Sequence, residues 1–144
     1  MAIWKSEATR EMLAALSRDT MMETLGIEYL EIGDDFLKAR MPVDRRTRQP
    51  MGRLHGGASV ALAETLGSLG ATLCLDPERQ AAVGLEINAN HLRPVLEGWV
   101  TGVARPLHRG RTTQVWEIRI TNDANQLVCI ARHTVAVIPA PGRS

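Results

Sequence analysis

The stretch "QPMGRLHGGASVALAETLGSLGA", Gln49 to Ala71, holds one long run of apolar and small residues. Its pattern predicts a helix that begins near His55 and runs to about Leu75. Ala58, Ala61, Ala63, Gly67, Gly70 and Ala71 are small, which lets a helix axis come close to whatever covers it. Gly67 and Gly70 each cost roughly 1 kcal/mol against alanine in a helix interior. Close packing on both sides offsets that cost. A single acid, Glu64, sits inside this run.

Around the helix the chain reads mainly as strands. Upstream, Ser6–Ser17 carries Met12, Leu13 and Leu16 at helical spacing, and Thr20 with Glu23 forms a capping-box pattern that Gly26 ends. Ile27–Ile32 and Phe36–Val43 are predicted strands joined by the turn signal Gly33-Asp34-Asp35. The second sets Leu37, Ala39, Met41 and Val43 against Phe36, Lys38 and Arg40. Asp44–Leu54 reads as a loop in which Arg45, Arg46 and Arg48 are solvated. After the turn signal Asp76-Pro77, strands are expected at Ala82–Leu92, Gly98–Leu107, Thr112–Asn122 and Gln126–Ile138, the last two joined at Asn122–Asn125. One domain over residues 1–144 follows, without repeats and with a frayed tail at 139–144. Strands segregated from one central helix imply an α+β fold, an antiparallel sheet wrapped on that helix.

Composition narrows the function. The chain has 144 residues, 44% hydrophobic and 23% charged, with a formal net charge of +1. That balance leaves no footprint for nucleic acid or an anionic membrane. No apolar run reaches membrane-spanning length, and the Met1–Trp4 start is too short for a signal peptide. Cys74 and Cys129 stand apart in apolar surroundings, as core residues of a reducing compartment do, not as a disulfide framework or zinc site. The cytoplasm is the expected location.

Glu64 has two readings. It lies on a solvated helix stripe, or it is an acid held at a site. Its neighbourhood supplies the parts of a site. Helix N-termini present unpaired N–H groups and partial positive charge, and His55-Gly56-Gly57 stands at this one. Ser68 lies one turn beyond Glu64 on the same face. Gln49 offers an amide donor from the preceding loop. Acid, amide, imidazole and helix end together suit attack on an activated carbonyl. Taken singly each is weak, and a lone His55 more often serves as a hydrogen-bonding residue at the helix start.

The runs "MPVDRRTRQPMGRLHGGASVALAETLGS", "VGLEINANHLRP" and "PLHRGRTTQVWEI" closely resemble the hot-dog-fold acyl-CoA thioesterases. The likeness is strongest to the branch holding 4-hydroxybenzoyl-CoA thioesterase of the soil-bacterium type and the menaquinone and enterobactin proofreading thioesterases. It spans Ile3 to about Val137. The resemblance implies a homodimer whose sheets join, usually paired into a homotetramer, and thioester hydrolysis with neither metal nor cofactor. Coenzyme A enters only as part of the substrate. The family's catalytic carboxylate falls on Glu64, its oxyanion donor on the Gly56 N–H, and its following hydroxyl on Ser68, with His55 and Gln49 beside the thioester. Its coenzyme A contacts fall on Gly84, on His91, Leu92, Arg93 and Pro94, and on His108, Arg109, Gly110, Arg111, Thr112 and Thr113. Without the resemblance Arg109 and Arg111 read as solvated turn residues; with it, their guanidinium groups suit phosphate.

Glu64 as nucleophile and Glu64 as general base both remain open. An aromatic or medium-chain acyl-CoA is the expected substrate, with carrier-protein thioesters a second source. Three other classes compete: a hot-dog hydratase or dehydratase, which also binds acyl thioesters but normally uses His with Asp or Glu in another arrangement, a non-catalytic acyl-CoA sensor, which has no need of Glu64, and a purely structural module, which needs neither. Gly56 and Glu64 are eight positions apart, about 12 Å along a helix. An acid and an oxyanion donor must both lie near 3 Å from one carbonyl. The spacing therefore predicts that each site draws Glu64 from one subunit and the His55-Gly56 end, with Gln49, from the other.

Overall fold

A computed structural model describes residues 1–142. Two short helices, α1 (Arg10–Ser17) and α2 (Met21–Thr24), precede strands β1 (Glu28–Ile32) and β2 (Leu37–Pro42). The long helix α3 (Gly56–Leu73) follows, then β3 (Gln80–His91), β4 (Trp99–Arg109), β5 (Thr113–Thr121) and β6 (Leu127–Pro139). The strands form one six-stranded sheet in the order β1-β2-β4-β5-β6-β3. Every neighbouring pair is antiparallel. The sheet curls around α3, which packs against β2, β3, β4, β5 and β6.

The helix sits this close because of its small residues. A Cβ on Gly70 would stand 2.7 Å from the Trp116 ring, and one on Gly67 3.0 Å from Cδ2 of His133. From the sheet side, a Cβ on Gly102 would meet Cδ1 of Leu66 at 2.9 Å. Leu62, Ala63 and Leu66 are fully buried in this contact. Each large apolar side chain so buried contributes roughly 1.5–3 kcal/mol. Strand alternation supplies the opposing wall: Leu37, Ala39, Met41 and Val43 from one hairpin, Trp116, Ile118 and Ile120 from the other, all buried. Trp4 stacks on Trp116 with ring centroids 6.2 Å apart, which closes the N-terminal segment over the core.

Several local expectations are corrected. Helix α1 begins only at Arg10, capped by the Thr9 hydroxyl, and buries Leu13 and Ser17 while Met12 and Leu16 face outward. Thr20 makes no capping box, because its hydroxyl donates to the Ser17 carbonyl at 2.6 Å and Glu23 accepts instead from the Asp19 N–H at 2.7 Å. Helix α3 stops at Leu73 rather than near Leu75. Pro139 closes β6 instead of opening a frayed tail, and the Ala140 N–H donates to the Arg79 carbonyl at 2.9 Å. The last two positions of the expected tail, Arg143 and Ser144, lie outside the described residues.

Two loop arginines are also bonded rather than merely solvated. Arg46 pairs with Asp44 at 2.7 Å, and Arg48 donates to the Leu96 carbonyl at 3.0 Å. The Arg46 side chain, and after it the Arg46 backbone N–H, hold the Asp44 carboxyl down at about 2. These bonds pin the loop that leads into α3.

Candidate active site

The start of α3 is built by His55. Its backbone is extended (φ −69°, ψ 130°) and its Nδ1 accepts the Gly57 N–H at 2.8 Å. Its carbonyl accepts the N–H groups of Ala58 at 3.0 Å and Ser59 at 3.3 Å. The Gly56 N–H is left without a partner among the described residues. One donor at the positive end of an 18-residue helix is thus unspent.

Gly56 lines a cleft of about 350 Å³ together with Gln49, Ser59, His91, Leu92 and Arg93. The Gln49 N–H donates to the Arg53 carbonyl at 2.8 Å, and its Oε1 accepts the Met51 N–H. That fixes the amide's orientation and leaves its Nε2 as a second donor without a partner among the described residues. His91, at the end of β3, sits against the helix start: a Cβ on Gly56 would come within 2.8 Å of its Nε2. The glycine therefore makes room for an imidazole of this chain, beyond any room it leaves for a ligand. The His55 ring does not share this cleft. It faces a different depression, lined by Met21, Leu25, Thr47, Arg48 and Ala61.

Glu64 is elsewhere. It is exposed and lines an apolar cleft of about 320 Å³ with Met21, Met22, Ala61, Ser68 and Leu69. Its carboxylate has no hydrogen-bond or ion-pair partner among the described residues. Gly84 of β3 lies beside it: a Cβ there would stand 3.2 Å from Glu64 Oε1 and 3.2 Å from Cε1 of His133. Ser68, one turn on, meets Nε2 of His133 at 3.0 Å.

Of the segments matched to coenzyme A, His91, Leu92, Arg93 and Pro94 border the Gly56 cleft and Gly84 borders Glu64. The "HRGRTT" segment lies with neither. It forms the β4–β5 turn, where the Gly110 N–H donates to the Thr113 carbonyl at 2.8 Å and the Thr112 carbonyl accepts the Val137 N–H at 2.8 Å. His108 packs against Gly110 within this turn. Arg111 and Thr112 edge a groove shared with Lys5, Asp76, Arg79 and Gln80. Arg109 approaches Cys74, whose thiol is pushed up by burial and partly pulled back by that guanidinium.

His133 is the residue that sequence reasoning passed over. It occupies an inward position of β6 between the buried Ala131 and Val135 and is itself fully buried. Its only signal in the sequence is a polar residue in the apolar phase of a strand.

The chain thus places candidate donors, Gln49 and the Gly56 N–H, at the start of α3 and a candidate acid, Glu64, in a different cleft further along it. The sequence profile of the thioesterase superfamily matches residues 51–129, a span that includes Gly56, Glu64 and Ser68. The chain belongs to the thioesterase superfamily. It is 52% identical over 136 residues to the 1,4-dihydroxy-2-naphthoyl-CoA hydrolase of Escherichia coli, covering 94% of this chain and 99% of that one. Identity to the proofreading thioesterase EntH of Cronobacter turicensis is also 52%, over 94% of this chain and 98% of that one. The crystal structure of a Haemophilus influenzae thioesterase superposes with a TM-score of 0.94 at 50% identity, covering 98% of both chains. The six-stranded antiparallel sheet around one helix is the hot-dog architecture of this thioesterase superfamily. As a member, the protein is an enzyme, a hydrolase of thioesters.

Proposed function

We propose that this thioesterase hydrolyses aromatic or medium-chain acyl-CoA thioesters to the free acid and coenzyme A, in sites that two subunits share. The observation that carries this reading is the division of the machinery. The unspent Gly56 N–H and Gln49 Nε2 share one cleft, while Glu64 faces another.

The edge strand supports the sharing. β3 is 12 residues long and, among the described residues, pairs with β6 alone; Val83 and Leu85 on it are exposed, as is Leu92 just past its end. A long unpaired apolar edge is a template for another strand. Antiparallel pairing of β3 with its copy about a two-fold near the middle of the strand, at Ile87 or Asn88, brings Gly84 of one chain within about one residue of His91 of the other. Glu64 packs at Gly84 and Gly56 at His91. Within one chain those two positions are seven residues apart on β3, about 23 Å. Across the pair they become neighbours. The further pairing of dimers into a homotetramer follows from the resemblance.

The chemistry suits a thioester, whose carbonyl is less stabilised by resonance than an ester's. Glu64 attacks it directly or takes a proton from water. The Gly56 N–H, aided by Gln49 Nε2, stabilises the developing oxyanion. The thiolate leaves readily and asks little of a general acid. Met21, Met22 and Leu69 around Glu64 offer an adaptable apolar bed for the acyl group. The aryl-CoA named for the Escherichia coli relative favours an aromatic acyl group here. Arg109, Arg111 and the neighbouring Lys5 and Arg79 suit the phosphates of coenzyme A. No residue on this path calls for a metal or cofactor, and the cytoplasm, where acyl-CoA is made, suits the substrate.

The test is a panel of aryl- and alkyl-CoA esters, with carrier-protein thioesters as a separate arm, monitored with a thiol reagent. Thiol release is expected, fastest from aryl-CoA. A hydrated product without thiol would point to the hydratase reading, and binding without turnover to the sensor reading.

A further inference from the structure

A hydroxyl–imidazole pair, Ser68 at the wall of the Glu64 cleft and the buried His133 behind it, adjoins the proposed site. Three hydroxyl residues follow one another on the later turns of α3: Thr65, Ser68 and Thr72. Thr65 donates to the Ala61 carbonyl at 2.7 Å and Thr72 to the Ser68 carbonyl at 2.9 Å, the common way for a helix hydroxyl to spend its proton. Ser68 does not do this. Its Oγ stands 3.0 Å from Nε2 of His133. The other ring nitrogen, Nδ1, stands 3.1 Å from the Glu86 carbonyl oxygen. A carbonyl only accepts, so Nδ1 carries the proton. In the neutral ring Nε2 is then an acceptor, and the Ser68 hydroxyl donates to it.

The consequence reaches the cleft. Ser68 is only partly buried and lines the cleft beside Glu64, whereas His133 is fully buried. With its one proton turned inward, Ser68 presents only lone pairs outward. It has no proton to offer the carboxylate, the substrate carbonyl or the thiolate. We propose that His133 is a positioning residue that locks Ser68 as an acceptor, so that Ser68 and Glu64 together hold the attacking water. That inference rests on the proposed function, with Glu64 as the general base rather than the nucleophile. A water that gives one hydrogen to Glu64 and the other to Ser68 Oγ keeps a lone pair free for the carbonyl. Attack forms the new C–O bond as Glu64 takes one proton. Collapse breaks the C–S bond, and the departing thiolate recovers that proton.

The same geometry explains Gly84 and Gly67. His133 Cε1 lies 3.2 Å from where a Cβ on Gly84 would be, and its Cδ2 lies 3.0 Å from one on Gly67. Glycines on both sides let the ring fit between helix and strand in one orientation.

Nitrogen-15 NMR of the labelled wild-type protein tests the proton placement without any substitution. Expected is a protonated Nδ1 and an unprotonated Nε2 on His133; the opposite tautomer overturns the proposal. Kinetics test the role. His133→Leu is expected to lower kcat about tenfold or more with KM nearly unchanged, as for a group acting in the transition state. His133→Gln, which keeps an acceptor near the Nε2 position, is expected to recover most of that loss. In a Ser68→Ala background, His133→Leu is expected to cost nothing further. A full additional loss there, or wild-type kcat in folded His133→Leu, overturns the proposal. If His133→Leu does not fold, the tautomer and the Gln variant decide. Glu64→Gln, run in parallel, separates the two failures: if it is inactive while His133→Leu is unaffected, only the role of His133 falls.

Discussion

At the scale of single residues, the proposed function rests on groups with unspent bonding capacity. Glu64 has a carboxylate without an internal partner, and Gly56 an N–H that no cap consumes. Glu64→Gln removes charge and basicity but little volume. Thiol release is expected to fall by at least about two orders of magnitude, the low end for loss of acid–base participation, with thermal unfolding unchanged. Near-native turnover in that variant would remove Glu64 from the mechanism. Gly84→Ala tests placement instead of chemistry. Its Cβ would crowd Glu64 Oε1 and the His133 ring, each 3.2 Å away. Small displacements of a reacting group are costly, so kcat is expected to fall by roughly tenfold or more. The candidate acid and the helix-end donor were legible in the sequence because both lie on one continuous helix whose start is marked by His-Gly-Gly. His133 was not legible as a site residue, because its partner, Ser68, is remote in sequence and only the folded sheet brings them together; His91 was named as a coenzyme A contact, but its packing against Gly56 was not legible for the same reason.

At the scale of elements, the fold depends on how closely α3 lies on the sheet. Gly70→Ala places a Cβ 2.7 Å from Trp116, a large ring buried at 0% exposure. Overpacking of this kind costs about 1–3 kcal/mol, against which the helix-propensity gain of about 1 kcal/mol works. Denaturant melts should show a net loss of stability; a gain would mean that the helix can lift off the ring freely. The β4–β5 turn is a separate test. Arg109→Ala and Arg111→Ala are expected to raise KM for CoA esters more than they lower kcat, because phosphate contacts are made in ground and transition states alike. Unchanged KM in both would move the phosphate site elsewhere. Strand phases were readable, since Leu37, Ala39 and Met41 alternate inward as the pattern requires. Strand order was not. β3 precedes β4 in the chain yet lies beyond β6 at the far edge, and nothing in local periodicity specifies that pairing. The capping box at Thr20 failed for a similar reason: Ser17 and Asp19 offered better-placed partners to the same two side chains.

At the scale of the whole molecule, the proposed shared site ties the unpaired β3 edge to the separation of Glu64 from Gly56. If β3 joins its copy, a lysine on that edge should blunt the pairing, as edge lysines do in natural sheets. Leu85→Lys, at a position 62% exposed in the single chain, is expected to shift sedimentation toward monomer and to lose thiol release in the same proportion. A monomer with full activity would break the link between assembly and catalysis. The most direct measurement is complementation between two inactive variants. One carries Glu64→Ala. The other carries Gln49→Ala with Gly56→Pro; proline at the first helical position lacks the N–H in question, and its ring also crowds the His91 imidazole, 2.8 Å from a Cβ there, so both changes disable the same cleft. The two are unfolded together, refolded together, and assayed for thiol release, with exchange followed by native mass spectrometry. A mixed dimer holds one site with both defects and one with neither. Random mixing should therefore restore about one quarter of wild-type specific activity, given the two-fold symmetry of such a pair. Each variant refolded alone should stay inactive. Complete exchange with no return of activity would contradict the shared site and require one chain to bring Glu64 and Gly56 to the same thioester by itself.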